Sequence, residues 1–148
     1  TEKTVVVVPT RSMPEALAAL VVYDANANAE DTAAAMVEAA ASVVTGEVTR
    51  AVRDSRSPAG DVSEGDWIGL VRGDGIASVA ATIDSAAMAL LDVIVGDDAE
   101  LVTIITGSSA ESAATDAIAA WLADHRGDVA VEVHHGGQPL YPYLFGVE

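Results

Sequence analysis

The stretch from Leu101 to His135 constrains this chain more than any other. LVTIIT, residues 101–106, is a short apolar run rich in β-branched residues, the pattern of a buried strand. A helix is expected from Ala110 to His125, with Ser108 or Ser109 as its cap. VAVEVHH, residues 129–135, then alternates with period two. Strand, helix and strand in that order demand two parallel strands joined by a right-handed crossover. The tail HHGGQPLYPYLFGVE reverses after a short loop, so its strand is expected to pair antiparallel. The sheet is therefore mixed and the fold class α/β, with α+β as the alternative. About five to seven strands are expected, with helices packed on them.

The remaining elements follow from local signals. Val5–Val8 reads as a buried strand stopped by Pro9. Ser12, Pro14 and Glu15 form a helix start, with Ser12 as N-cap and Glu15 completing a capping box; that helix is expected to reach about Val22. A second helix, capped by Asp31 or a neighbour, is expected to end near Gly46. Glu47–Asp54 reads as a strand with Val48, Arg50 and Val52 on one face and Arg53 on the other. RSPAGDVSEG, residues 56–65, reads as a loop. Residues 66–81 form a hairpin whose RGDG turn places Asp74-Gly75 in a type I′ pair. Ile83–Val95 has helical periodicity and stops at Gly96. LYPYLFGV closes the sheet, with Tyr141, Tyr143 and Phe145 on one face and Leu140 and Leu144 on the other. Pro142 removes one ladder donor, so this strand is expected to be bulged or at a sheet edge, where an exposed tyrosine would offer a contact surface.

Composition narrows the function classes. Twenty-three acidic residues face seven basic ones, a formal charge of −16. Such a surface repels nucleic acid and anionic membranes, since phosphate binding rests on Lys and Arg. The absence of cysteine excludes disulfides, thiol nucleophiles and thiolate metal sites, and fits a cytoplasmic protein. No apolar run reaches the roughly 18 residues of a membrane span. TEKTVVVV has no signal-peptide pattern, lacks Met and opens almost directly on a strand, which suggests a piece of a longer polypeptide.

Several motifs invite chemistry. GSSAES, residues 107–112, opens a helix after a strand but lacks the Lys of a phosphate loop, so ordinary capping is preferred. His134 and His135 point to opposite faces and cannot easily share a metal. A phosphoryl-accepting histidine at that strand end is a rival to a plain glycine turn through Gly136 and Gly137. Arg50, Arg53 and Arg56 concentrate three of the seven basic residues. They read equally as an anion or partner contact and as internal ion pairs to Glu47, Asp54 or Asp61.

VVVPTRSMPEALAALVVYD, TGEVTRAVRDS, GDWIGLV, LVTIITG and VEVHHGGQPLYPYLFGVE occur in this order across nearly the whole chain. Together they resemble the C-terminal domain of the bacterial dihydroxyacetone-kinase-like component of fatty acid kinase. Two positions depart from the family pattern: Ala16 stands for glycine and Glu15 for glutamine. The resemblance implies a DegV-like fold and a single domain over residues 1–148, the latter part of that C-terminal domain, with residues 1–22 belonging to a preceding α/β subdomain. It implies that ATP and magnesium bind a kinase domain outside this chain, so no catalytic residue, metal or cofactor is carried over. The parent would be an ATP-dependent kinase that phosphorylates a fatty acid carboxylate held by a separate DegV-like carrier protein. This chain would dock that carrier and the rest of the kinase, without nucleic acid or membrane insertion. The partner-binding residues expected are Arg50, Arg53, Gly136, Gly137, Gln138, Tyr141 and Tyr143; Gln138, Tyr141 and Tyr143 match the family block GGQPLYPY. Two rival readings are a lipid- or phosphate-binding module, which needs an apolar cavity of roughly 300 Å³ or more between sheet and helices, and a phosphotransfer domain using His134 or His135.

Overall fold

The computed structural model describes residues 2–148, which divide into two compact units meeting in sequence at Val43/Val44. In the first, helix α1 (Met13–Val21) starts as expected: the Ser12 hydroxyl accepts the Glu15 N–H at 3.3 Å, and Pro14 occupies the first turn. The Glu15 carboxylate reaches one residue further back than a capping box does. It accepts the Arg11 N–H at 2.7 Å, not that of Ser12. Helix α2 (Ala29–Ser42) is capped by Asn28, not Asp31; the Asn28 side-chain Oδ1 accepts the Asp31 N–H at 2.8 Å. The apolar helix residues buried here are mainly alanine: Ala18, Ala19, Ala33 and Ala40. The strand expected at Val5–Val8 does not form. Val5 and Val7 are 82% and 81% exposed, and no described segment pairs with them. β-branched side chains favour extended backbone, but a strand also needs a ladder partner.

The second unit is a six-stranded sheet, ordered β5-β4-β1-β8-β6-β7, with a separate two-stranded ribbon. Its strands are β1 (Val44–Arg50), β4 (Trp67–Val71), β5 (Gly75–Ala80), β6 (Leu101–Thr106), β7 (Ala130–His135) and β8 (Tyr143–Val147). The expected parallel pair is present: β6 and β7 align Leu101 with Ala130 and Thr106 with His135. All other neighbours in the sheet are antiparallel, so it is mixed.

The closing strand corrects the edge expectation. β8 lies between β1 and β6, and every residue in it is buried. Pro142 precedes the ladder, so its missing N–H costs no sheet bond. β1 begins three residues before the expected strand and ends at Arg50, which leaves Val52 and Arg53 exposed beyond it. The expected loop after it contains the ribbon of β2 (Ser55–Ser57) and β3 (Gly60–Val62). The β4–β5 turn is not type I′. Asp74 N–H donates to Val71 O at 3.1 Å, and the positive φ, +95°, falls on Gly73 at the third turn position.

Helices α3 (Ile83–Ile94) and α4 (Ser112–His125) supply the core on one sheet face. Ala86, Ala87, Leu90, Leu91, Ile118 and Leu122 meet Val48, Val102, Ile104, Tyr143 and Phe145, all fully buried. Each large side chain of this set contributes about 1.5–3 kcal/mol on burial. Glycines let α3 lie close to the strands: a methyl on Gly46 would come within 2.9 Å of Ile94, and one on Gly69 within 2.8 Å of Leu90. That contact has no room for an apolar ligand. The other face of the hairpin is covered by a smaller cluster of Ala51, Val62 and Ile68.

Candidate functional site

One end of the sheet gathers most of the residues singled out in the sequence. Strand register places Arg50 opposite Trp67, Trp67 opposite Ala80, and Thr106 beside both Tyr143 and His135. The N-termini of α3 and α4 open at this end, directly after β5 and β6. So does the loop from Gly136 to Pro142.

That loop is fixed along its length. Gly136 and Gly137 N–H groups both donate to Thr106 O, at 2.9 and 3.1 Å. Ser108 N–H donates to Gln138 O at 2.9 Å, and Gly107 N–H to Pro142 O at 2.8 Å. The Gln138 amide donates to Ile105 O at 3.2 Å and Tyr141 O at 3.0 Å. Gly137 adopts φ +69°, a conformation glycine takes without steric cost. A methyl at Gly107 would strike the carbonyl oxygens of Tyr141 and Gln138. Thr49 ties the loop to the end of β1 through the Leu140 carbonyl at 3.4 Å. Gln138 is thus the internal brace of the loop, Tyr141 is half-buried, and Leu140 is 75% exposed at its crest.

Tyr143 serves this end from inside. It is fully buried, with its ring stacked near Phe145 at 6.0 Å between centroids. Its hydroxyl lies 2.8 Å from the Thr115 hydroxyl and donates to Glu111 O at 3.3 Å. Burial raises its pKa above the usual value. The carboxylates of Glu111, Asp84 and Asp116 push the same way, while the Thr115 hydrogen bond opposes them. The Asp84 carboxyl is held below its ordinary value, chiefly by the Thr82 hydroxyl and further by the backbone N–H groups of Ser85 and Asp84. α4 takes Glu111 as N-cap without a side-chain bond, so neither Ser108 nor Ser109 caps it. Ser108 instead holds the Gln138 loop.

The three arginines separate. Arg56 pairs with Asp61 at 3.4 Å, with both side chains solvated, and such pairs add little stability. Arg53 is exposed and forms no ion pair among the described residues. Arg50 sits at the last position of β1 with its guanidinium 4.6 Å from the centre of the Trp67 ring. Glu47, one of the acids considered for these arginines, pairs with Arg72 at 2.6 Å. Beside Arg50 and Trp67 opens a cleft of about 430 Å³, lined also by Thr82, Asp84, Ser109 and Glu111.

His134 and His135 occupy opposite faces, as their spacing requires. His134 lies 3.2 Å from Glu132, and His135 Nδ1 lies 3.4 Å from the Thr106 hydroxyl. Among the described residues no three His, Asp or Glu side chains converge as metal ligands. Sequence reasoning singled out the 107–112 stretch that holds Ser109 and Glu111, preferring ordinary capping there, and missed Trp67, Thr82 and Asp84. Each of α3 and α4 starts just behind a strand, which the sequence shows, but their N-termini share one sheet end only because the sheet order makes β5 and β6 run in the same direction.

The family model for the C-terminal domain of proteins like the A component of fatty acid kinase matches residues 1–148. Uncharacterized proteins of Staphylococcus aureus strains MRSA252, bovine RF122 / ET3-1 and USA300 are each 38% identical over 143 residues. Each match covers 97% of this chain and 26% of the relative, so the chain spans about a quarter of the length of the curated relatives it matches.

Proposed function

The chain belongs to this fatty-acid-kinase-like C-terminal domain family, and we propose that it serves as a non-catalytic docking domain there. In this reading it holds an acyl-carrying, DegV-like protein while acyl phosphate is made by a kinase domain elsewhere in the full-length protein. ATP and magnesium belong to that domain, and the work takes place in the cytoplasm. Among the described residues no helix is long and apolar enough to cross a membrane.

The observation that carries the reading is the rigid, one-ended assembly around Arg50. The Gly136–Pro142 loop is held by eight hydrogen bonds among the described residues, within the loop and to Thr49, Ile105, Thr106, Gly107 and Ser108. A surface ordered before binding loses less conformational entropy when a partner arrives. Arg50 and Arg53 supply the charge, Gly136 and Gly137 the close backbone, Gln138 the brace, and Tyr141 and Leu140 the partly apolar crest. Tyr143 acts from below, by anchoring the Glu111 carbonyl. The tight α3–sheet contact at Gly46 and Gly69 weighs against an interior ligand module.

Calorimetric titration of the cognate carrier onto this chain tests the proposal. Saturable binding without ATP turnover by the chain is expected. Turnover by the isolated chain, or no heat of binding, refutes it.

A further inference from the structure

We propose that the Arg50–Trp67 pair is a preset receptor for one carboxylate side chain presented from a basic face of the docking partner. The inference rests on the docking reading above and names the chemistry of that contact.

Arg50 stands apart from most of the cations in this chain. Arg11, Arg56, Arg72 and Arg126 each have a carboxylate partner, on Glu15, Asp61, Glu47 and Asp92. Acidic residues outnumber basic ones by 23 to 7, so a free arginine is not short of potential partners. Among the described residues Arg50 makes no ion pair and no side-chain hydrogen bond; its named contact is the Trp67 ring at 4.6 Å. Stacking on the indole face orients the guanidinium without using its N–H donors. Those donors remain available for a bidentate carboxylate.

Backbone geometry presets the pair. Gly46 and Val48 face α3, so Arg50, two residues on, projects to the same side. Antiparallel register sets Trp67 directly across from it. Trp67 also packs against the main core, which fixes the ring on which the guanidinium lies.

The rest of the cleft selects the ligand. Asp84 and Glu111 line it opposite a single guanidinium, and the chain carries −16 overall. A multiply charged anion such as a nucleotide would meet net repulsion there. A single carboxylate flanked by Lys or Arg satisfies both signs: its oxygens take Arg50, and its basic neighbours face Asp84 and Glu111. Such a ligand is a patch on a protein surface, and a basic partner is also the one this acidic chain attracts over distance.

The test is titration of the cognate carrier onto wild type, Arg50→Glu, Arg50→Lys and Arg53→Glu, with folding of each checked by circular dichroism. Arg50 is exposed, so its variants should fold. Arg50→Glu is expected to weaken binding about tenfold or more. Arg50→Lys should recover only part of the loss, since an ammonium keeps the charge but not the fork. Arg53→Glu should cost less than Arg50→Glu. In the Arg50→Glu background, one Asp→Lys or Glu→Lys change on the carrier should restore affinity and so identify the carboxylate. Equal binding by wild type and Arg50→Glu overturns this inference and leaves the docking proposal standing. Failure of the carrier to bind wild type overturns both. Loss in Arg50→Glu that no single carrier reversal repairs overturns the single-carboxylate assignment.

Discussion

The residues up to Val43 and the unit Val44–Glu148 use much the same apolar vocabulary with opposite results. In the first, Val5, Val7, Leu20, Val21 and Tyr23 are each more than half exposed, and the buried helix residues are mostly alanine. In the second, Leu90, Leu91, Ile104, Tyr143 and Phe145 are fully buried. An apolar run does not bury itself. Val5–Val8 has no strand beside it among the described residues, whereas Leu101–Thr106 has β7 on one side and β8 on the other. Stability should therefore reside in the second unit, and mutations in the two regions should differ in size.

The largest gap is between their apolar truncations. Phe145→Ala should cost about 3–5 kcal/mol in denaturant unfolding of the second unit. Leu20→Ala and Val7→Ala, at 61% and 81% exposure, should each stay within about 0.5 kcal/mol. Equal costs would break the contrast. Next comes Gly69→Ala, whose methyl would meet the Ser78 hydroxyl and Leu90 beneath α3; a loss of about 1–3 kcal/mol is expected in the same assay.

Two changes of about 1 kcal/mol sharpen the picture within each region. Ser12→Ala removes the α1 cap, and amide exchange should accelerate over Met13–Val21 while the unfolding of the second unit stays put. Tyr143→Phe removes the hydroxyl shared with Thr115 and Glu111. Folding favours the neutral phenol of Tyr143, so its folded pKa lies above the ordinary 10.0. Stability should be full below that pH and fall as pH rises through the folded value, and Tyr143→Phe should abolish that alkaline component.

The smallest effect belongs to Asp84, whose folded pKa lies below 3.8. Its contribution is present above the unfolded value and is lost as acid carries the pH through the folded one. Thr82→Ala should move the Asp84 titration, followed by NMR, back toward 3.8.

Elements governed by local signals could be read from the chain. The α3 range, the β6 strand and the parallel β6–β7 pairing followed from periodicity, β-branching and the crossover rule. The Ser12 cap followed from its own side chain. What depended on distant partners could not be read. The order β5-β4-β1-β8-β6-β7 inserts the last strand between two others, and nothing local in YLFGV distinguishes that from an edge. The LYPYLFGV reading also carried the strand across Pro142, although the ladder begins only at Tyr143. At the site, the arginine cluster drew attention to Arg50, but its pairing with Trp67 depends on the β1–β4 register across 17 residues of sequence. Glu111 and Asp84 matter only because two helix starts share one sheet end, a tertiary fact.

The proposed docking surface is tested most directly by hydrogen–deuterium exchange on this chain, alone and saturated with the proposed acyl-carrying partner. Exchange should slow at Arg50–Arg53, at Gly107–Glu111 and along Gly136–Pro142, and remain unchanged in the Ser55–Val62 ribbon. Protection confined to the ribbon, or to residues before Val44, would contradict the account.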